Sequence, residues 1–284
     1  MTTITFPSTD TVLSARTWRE LGVPHTDHAL RQLQRRLHPD LCADAHAADA
    51  FAKLMVLWKE NVEFSRRLAR GRRVGDRTIR WEVADGDADL AAAVLSTASS
   101  IGGNMFVTTP AGVDSTTIDV TYGIGEGRWW FLSDFDDSAL VGEHAVWVFK
   151  RLLAAITVIS EAGFSHGDIS AHNIVINPDE HGLQLDGFWG SVPLGSPLVV
   201  RPDAVTPAAY VRGAETTPNM SVAQAASTVL NSFDVSPSFK KVLRELTLRP
   251  TETTRAFESA VDAASTDFGS PKWVEMTPPS TPSL

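Results

Sequence analysis

Apolar residues recur along this chain with two different periods, and the change of period divides it. Leu30, Leu33 and Leu37 fall at i, i+3 and i+7 while Arg31, Arg35 and Arg36 take other faces, which predicts a short amphipathic helix ended by Pro39. Phe51, Leu54, Met55, Trp58 and Val62 repeat with the same period and predict a second helix able to pair with the first. Past Arg70 to Gly75 the pattern turns β-like. Thr78 to Val83, Thr116 to Thr121 and Trp129 to Leu132 predict strands, with a helix around Asp89 to Ser100. Glu143 to Ala162 predicts a buried helix with Phe149, Leu152, Leu153, Ile156 and Ile159 on its apolar stripe. Ile174 to Ile176, a turn at Asn177-Pro178-Asp179 and Leu183 to Leu185 predict a hairpin, and helices return from Ser221 onward, including Ser238 to Thr247.

Composition narrows the setting. A chain of 284 residues with 43% hydrophobic and 21% charged side chains can bury two cores. Its net charge of −9 disfavours non-specific nucleic-acid binding. The arginines at 66, 67, 70, 72, 73 and 77 read as a solvated helix end and linker. The lone Cys42 cannot form an intramolecular disulfide and suits a reducing compartment. No signal peptide is visible, and the most apolar stretch, Ala145 to Ile159, is interrupted by Lys150 and Arg151. A cytoplasmic protein without a membrane span is expected.

The candidate chemistry is concentrated in HGDISAHNIVINPDEHGLQLDGFWG. Asp168 precedes Asn173 by five residues, Asn173 precedes Asp186 by thirteen, and the hairpin holds these polar residues at its ends. Turn chemistry alone could produce such a hairpin. His166, Asp168 and His181 also have the residue types of a two-histidine, one-carboxylate iron site, although that leaves Asn173 and Asp186 without a role. The spacing resembles the catalytic and metal-binding loops of the protein-kinase-like superfamily, including its small-molecule phosphotransferase branches. The resemblance implies a two-lobed domain over 75–270, with a β-rich small lobe and a helical large lobe. It further implies Asp168 as the base for an acceptor hydroxyl, and Asn173 and Asp186 as ligands of magnesium bound with ATP.

The chain departs from that pattern in the parts that hold phosphates. The family's small-lobe lysine has no counterpart, since no lysine lies between Lys59 and Lys150. Arg77, Arg80 and Arg128 are candidate substitutes, although a planar guanidinium does not place charge as an ammonium does. Gly123 to Gly127 reads as a hairpin turn between Thr116 to Thr121 and Trp129 to Leu132. The opening loop falls instead on Ala84 to Asp89, between Thr78 to Val83 and Leu90 to Leu95, where three aspartates would repel phosphate. Gly and Phe are exchanged in Asp186-Gly187-Phe188, and Gly167 stands where many protein kinases carry an arginine. No aspartate lies between Asp203 and Asp234 to brace the catalytic loop from a central helix. The literal Asp267-Phe268-Gly269 is too far from Asn173 to be the metal loop and belongs to a terminal segment.

The front of the chain carries a second constellation. Trp18-Arg19-Glu20-Leu21-Gly22-Val23, the basic helix, His38-Pro39-Asp40 and the aromatic-bearing second helix follow one another. In that order they resemble the J-domain of heat-shock co-chaperones, placed here at 11–70, with a basic helix shorter than usual by more than a turn. The resemblance implies a seventy-kilodalton heat-shock-type chaperone as partner, met by His38, Pro39 and Asp40 together with Arg31, Arg35 and Arg36. The whole reads as an α+β chain. A J-like module is followed by the kinase-like domain and a Pro/Ser/Thr-rich tail at 271–284, with Pro278 to Pro282 expected to be disordered. Three functions stay open: a pseudokinase adaptor or weak magnesium–nucleotide binder, an active phosphotransferase using Asp168, and a non-catalytic scaffold.

Overall fold

A computed structural model describes residues 6–16, 18–23, 27–67, 72–75, 77–83, 87–114, 116–123, 129–135, 140–199, 202–269 and 274–277. The chain is α+β. Its first part is helical: α1 (Thr9–Ser14), a 3-10 turn at Arg19–Leu21, α2 (Asp27–Leu37) and α3 (Ala47–Arg67). Ser8 caps α1, its hydroxyl accepting from Thr11 N at 3.2 Å. These elements enclose a hydrophobic cluster of their own, built on Val12, Trp18, Val23, Leu33, Ala50, Leu54 and Leu57. The inward stripe of α3 is therefore centred on Ala50, Leu54 and Leu57, with Phe51 and Trp58 flanking it. Met55, expected on that stripe, is 37% exposed, because α3 must face both α1 and α2 and this rotates its inner face toward Leu57. The side chain of Val62 lies outside the described residues.

The second part begins with β1 (Arg72–Gly75) and β2 (Thr78–Glu82), then α4 (Asp87–Ser100), β3 (Thr109–Val113) and β4 (Thr117–Thr121). These four strands form an antiparallel sheet in the order β1-β2-β4-β3. Ile79 and Trp81 point to its buried face, while Arg80 lies on the other face and pairs with Asp119 directly across the strands at 2.6 Å. Residues 87–89, expected in the opening loop, are instead the first turn of α4, which starts two residues before the helix expected around Asp89 to Ser100. The apolar residues of Leu90 to Leu95 follow the period of a helix that buries Ala91, Val94, Leu95 and Ala98.

The chain then passes to a separate three-stranded sheet, β5-β7-β8. Here β5 (Trp130–Phe131) pairs with β7 (Ile174–Asn177), which pairs with β8 (Gly182–Leu185) as the hairpin pattern predicts. The hairpin expected between Thr116 to Thr121 and Trp129 to Leu132 does not form. Both edges of β4 are taken by β2 and β3, and Trp130 and Phe131 find partners in Ile176 and Val175. Gly123 still marks a crossing point, its N–H donating to Gln184 Oε1 at 2.8 Å, while residues 124–128 lie outside the described set.

Between β5 and β7 runs α5 (Gly142–Glu161), which buries Phe149, Leu152, Leu153, Ile156 and Ile159 as predicted. Its two charged residues stay at the margin, Lys150 over the Phe257 ring and Arg151 over Phe106. A two-stranded ladder joins β6 (Phe164–Ser165) to β9 (Val192–Pro193). Four helices follow: α6 (Ala208–Val211), α7 (Pro218–Ser232), α8 (Pro237–Leu248) and α9 (Thr253–Phe268). Asp267, of the literal Asp-Phe-Gly, binds the start of α8 by accepting from Ser236 Oγ at 2.5 Å and Phe239 N at 3.1 Å. A single cluster links the β4 face, α4, α5, the hairpin and α7 to α9. Of the terminal stretch, residues 274–277 are described. The Val274 carbonyl accepts from His144 and His181, and Met276 is buried, while Pro278 to Pro282 lie outside the described residues. Among the described residues no helix is long and apolar enough to cross a membrane.

Candidate functional sites

The fold brings Asp168, Asn173 and Asp186 together. The chain leaves α5 through β6 into His166-Gly167-Asp168, and Gly167 sits at φ +87° with the Gly190 carbonyl where a Cβ would stand. Only glycine fits there. Asn173 closes the 3-10 turn before β7 and donates from Nδ2 to the Asp168 carbonyl at 2.9 Å and to Asp168 Oδ2 at 3.1 Å. Its own carbonyl accepts from Asp186 N at 2.8 Å, which ties the two ends of the hairpin together. Gly187 takes φ +80° beside Asn173 Oδ1, so the exchanged Gly-Phe order follows from a backbone turn that a side chain would block.

His166 is the internal strut of this arrangement. Its Nε2–H donates to the Asp186 carbonyl at 2.6 Å and its Nδ1 accepts from Asp168 N at 3.3 Å. Burial pushes its pKa down to about 4, so the ring is neutral, as these two bonds require. His181 points elsewhere, toward Val274 O at 3.2 Å. His166, Asp168 and His181 therefore do not converge, and the iron-site alternative fails on geometry.

A brace comes from α7, where a central aspartate is lacking. Gln224 donates from Nε2 to Gly167 O at 2.8 Å and to Thr206 Oγ1 at 2.8 Å, and its Oε1 accepts from Ile169 N at 3.3 Å. Thr228, one turn on, donates to Ile169 O at 2.6 Å. A Gln among the small and apolar residues of Met220 to Val229 was the available signal for this role, because a buried amide must find partners. Gln224→Ala leaves Gly167 O and Ile169 N without these bonds and is expected to lower stability by about 1–3 kcal/mol in urea unfolding. A loss within error would show that the loop does not depend on the brace.

Two carboxyl groups in the cluster are themselves bonded by the protein, Asp168 half-buried and Asp186 buried. Asp168 Oδ1 accepts from Ala204 N at 2.9 Å and Oδ2 from Ser170 Oγ at 3.4 Å, and burial raises its pKa to about 6. Asp186 is 1% exposed. Its Oδ2 accepts from Trp81 Nε1 at 2.9 Å, and its Oδ1 from Gly187 N at 2.8 Å and Thr108 Oγ1 at 3.3 Å. Burial outweighs these donors and pushes its pKa up to about 7. The Trp81 indole is in turn packed against Trp189 at 4.3 Å between ring centroids and against Phe131 at 6.0 Å. Trp81 and Thr108 were missed from sequence because strand position alone does not say which distant carboxylate an inward side chain meets.

Magnesium binds through oxygen ligands in near-octahedral order at about 2.0–2.1 Å. Asp186 is 1% exposed with the Trp81 indole against Oδ2, so an ion and its water ligands reach the carboxyl only if the indole moves, and the residues as arranged do not fit the ion. Among the described residues no group of three His, Cys, Asp or Glu could hold a metal. The substitutes for the small-lobe lysine do not reach the site either. Arg77 bonds the Gly123 carbonyl, Arg80 is spent on Asp119, and Arg128 lies outside the described residues.

The second constellation sits on the helical part. After α2 ends at Leu37, His38 O accepts from Leu41 N and Cys42 N at 2.9 Å each, closing a turn around Pro39. His38 Nδ1 accepts from Asp40 N at 3.2 Å, and its ring meets the edge of Phe51 on α3 at 5.8 Å. The ring is thus oriented from both sides while the Asp40 side chain is 86% exposed. Arg31, Arg35 and Arg36 are exposed on α2, with Arg36 lying over Phe6. Three exposed arginines of α2 thus precede the His38-Pro39-Asp40 turn, in which Asp40 Oδ2 lies 3.7 Å from His38 Nδ1. No protein-family model matches this chain, and no curated protein matches it.

Proposed function

We propose that the protein is a divergent protein-kinase-like adaptor that carries a J-like module and does not depend on phosphoryl transfer. The observation that carries this reading is the state of Asp186. The residue is kept at the spacing the kinase-like resemblance implies and bound into the Asp168–Asn173 cluster, yet its carboxyl is turned inward to an indole and a threonine hydroxyl. The adaptor reading makes sense of a cluster that is retained and braced by Gln224 while its ligand face is closed. An active phosphotransferase would need Asp186 open to a metal-bound nucleotide. That reading is the weaker one for this geometry.

The J-like module supplies the contact surface. His38 is held from two sides, so it can present Asp40 and the Arg31, Arg35 and Arg36 face with little ordering cost. A seventy-kilodalton heat-shock-type chaperone is the proposed partner. The protein is expected to stimulate such a chaperone's ATPase, and His38→Gln should abolish stimulation while helical content in circular dichroism stays unchanged. Absence of stimulation by the unsubstituted protein across plausible cognate chaperones would remove the co-chaperone part of the reading.

A further inference from the structure

Trp81 occupies a particular place. It lies on the inward face of β2, the strand that leads into α4, and its Nε1–H reaches across to Asp186 Oδ2, a carboxylate of the β7–β8 hairpin's end. Both residues are 1% exposed. The kinase-like resemblance implies a lysine on a small-lobe strand to orient phosphates, and an ammonium there would attract a nucleotide. The indole donates one hydrogen bond, carries no charge, and fills the space beside Asp186 with a double ring locked against Trp189. Every other element of the cluster survives: Asn173 holds Asp168, His166 holds the Asp186 carbonyl, and Gln224 holds the loop.

We propose that Trp81 is an internal occupant of the nucleotide-phosphate position, and that this one side chain, rather than decay of the Asp168–Asn173–Asp186 set, keeps metal-bound nucleotide out. This rests on the kinase-like reading and deepens it by naming the excluded ligand class, a nucleoside triphosphate with a divalent cation, and the residue that excludes it. The bond also joins the four-stranded sheet to the hairpin, so the position that would clamp a ligand serves as a contact between two parts of the fold. The other oxygen, Oδ1, is taken by Gly187 N at 2.8 Å and Thr108 Oγ1 at 3.3 Å.

The test is calorimetric titration of the full chain with magnesium alone, with ATP alone and with both. The wild type is expected to show no magnesium-dependent ATP binding at millimolar concentration. Trp81→Lys is expected to gain it, with affinity at least ~10-fold above wild type, and adding Asp186→Asn to that variant should remove the gain. Should Trp81→Lys fail to fold, the wild type still decides by NMR, with the Trp81 indole proton assigned through its loss in Trp81→Phe. The proposal expects that proton to exchange ~100-fold more slowly than an exposed indole and to be indifferent to magnesium with ATP. Exchange at the exposed rate, or a shift on adding the pair, overturns it. Two binding results overturn it in distinguishable ways. Equal, Asp186-dependent binding by wild type and Trp81→Lys leaves the kinase-like reading standing and removes only the plug. A folded Trp81→Lys that ignores ATP, although the wild-type indole is protected, removes the kinase-like reading with it.

Discussion

Trp81→Ala is expected to lose about 3–5 kcal/mol of folding stability, the range for truncating a buried large aromatic. The indole is 1% exposed and packed on Trp189 and Phe131, so its removal leaves a cavity that two rigid neighbours cannot fill by small adjustments. Asp186 also loses the donor at Oδ2, and a buried acceptor left without its bond adds to the loss. Domains have only about 5–15 kcal/mol in total, so this variant should be near the edge of folding. Trp81→Phe separates the two contributions, because it keeps most of the packing and removes the N–H. It should cost about 1–3 kcal/mol. Urea unfolding followed by near-UV circular dichroism measures both. A Trp81→Ala loss below about 1 kcal/mol would mean that the indole is not packed as described.

The second large effect is a pH dependence. Asp186 has a folded pKa pushed up to about 7 by burial, against its ordinary 3.8, so between these limits the folded state holds a proton that the unfolded state has released. Its contribution to stability is therefore greatest below the unfolded pKa and is lost as pH rises toward the folded one. Asp168 acts in the same direction up to about pH 6. His166 opposes both. Its folded pKa of about 4 lies below its ordinary 6.5, so its contribution is lost as pH falls through that window. Comparing Asp186→Asn with wild type isolates one group. Asparagine is uncharged throughout, so the variant should gain on wild type by a few kcal/mol between pH 4 and pH 7.5, at about 1.4 kcal/mol per tenfold change in proton affinity. Urea midpoints at stepped pH give the difference. If it stays constant with pH, Asp186 is not buried as a carboxyl in the folded protein.

Periodicity was sufficient wherever an element's partners are local or its apolar stripe is wide. The α5 stripe, the β7–β8 hairpin and the two helices flanking His38-Pro39-Asp40 all stand where the residue pattern puts them, because a face of Leu, Ile and Phe must be buried whatever buries it. The convergence of Asp168, Asn173 and Asp186 was legible too, since a hairpin brings its own ends together without help from the rest of the chain.

Long-range partners were not legible. Thr116 to Thr121 and Trp129 to Leu132 look like one hairpin in sequence, yet they belong to different sheets, since a strand's sequence does not state which edge it meets. Arg77 and Arg80 stood as candidate substitutes for a small-lobe lysine, and the fold engages both elsewhere, one on a carbonyl and one on Asp119. Gln224 stands 55 residues from Ile169 and Trp81 stands 105 from Asp186, so neither bond could be found by local spacing. The amino-acid sequence by itself determined the helices, the hairpin and the set of groups available for chemistry, all fixed by burial of periodic faces and by turn geometry. Only the tertiary structure decided what those groups face. Folding placed an indole against Asp186 and a backbone N–H against Asp168, and a carboxylate's chemistry depends on whether water, a ligand or the protein itself satisfies its oxygens.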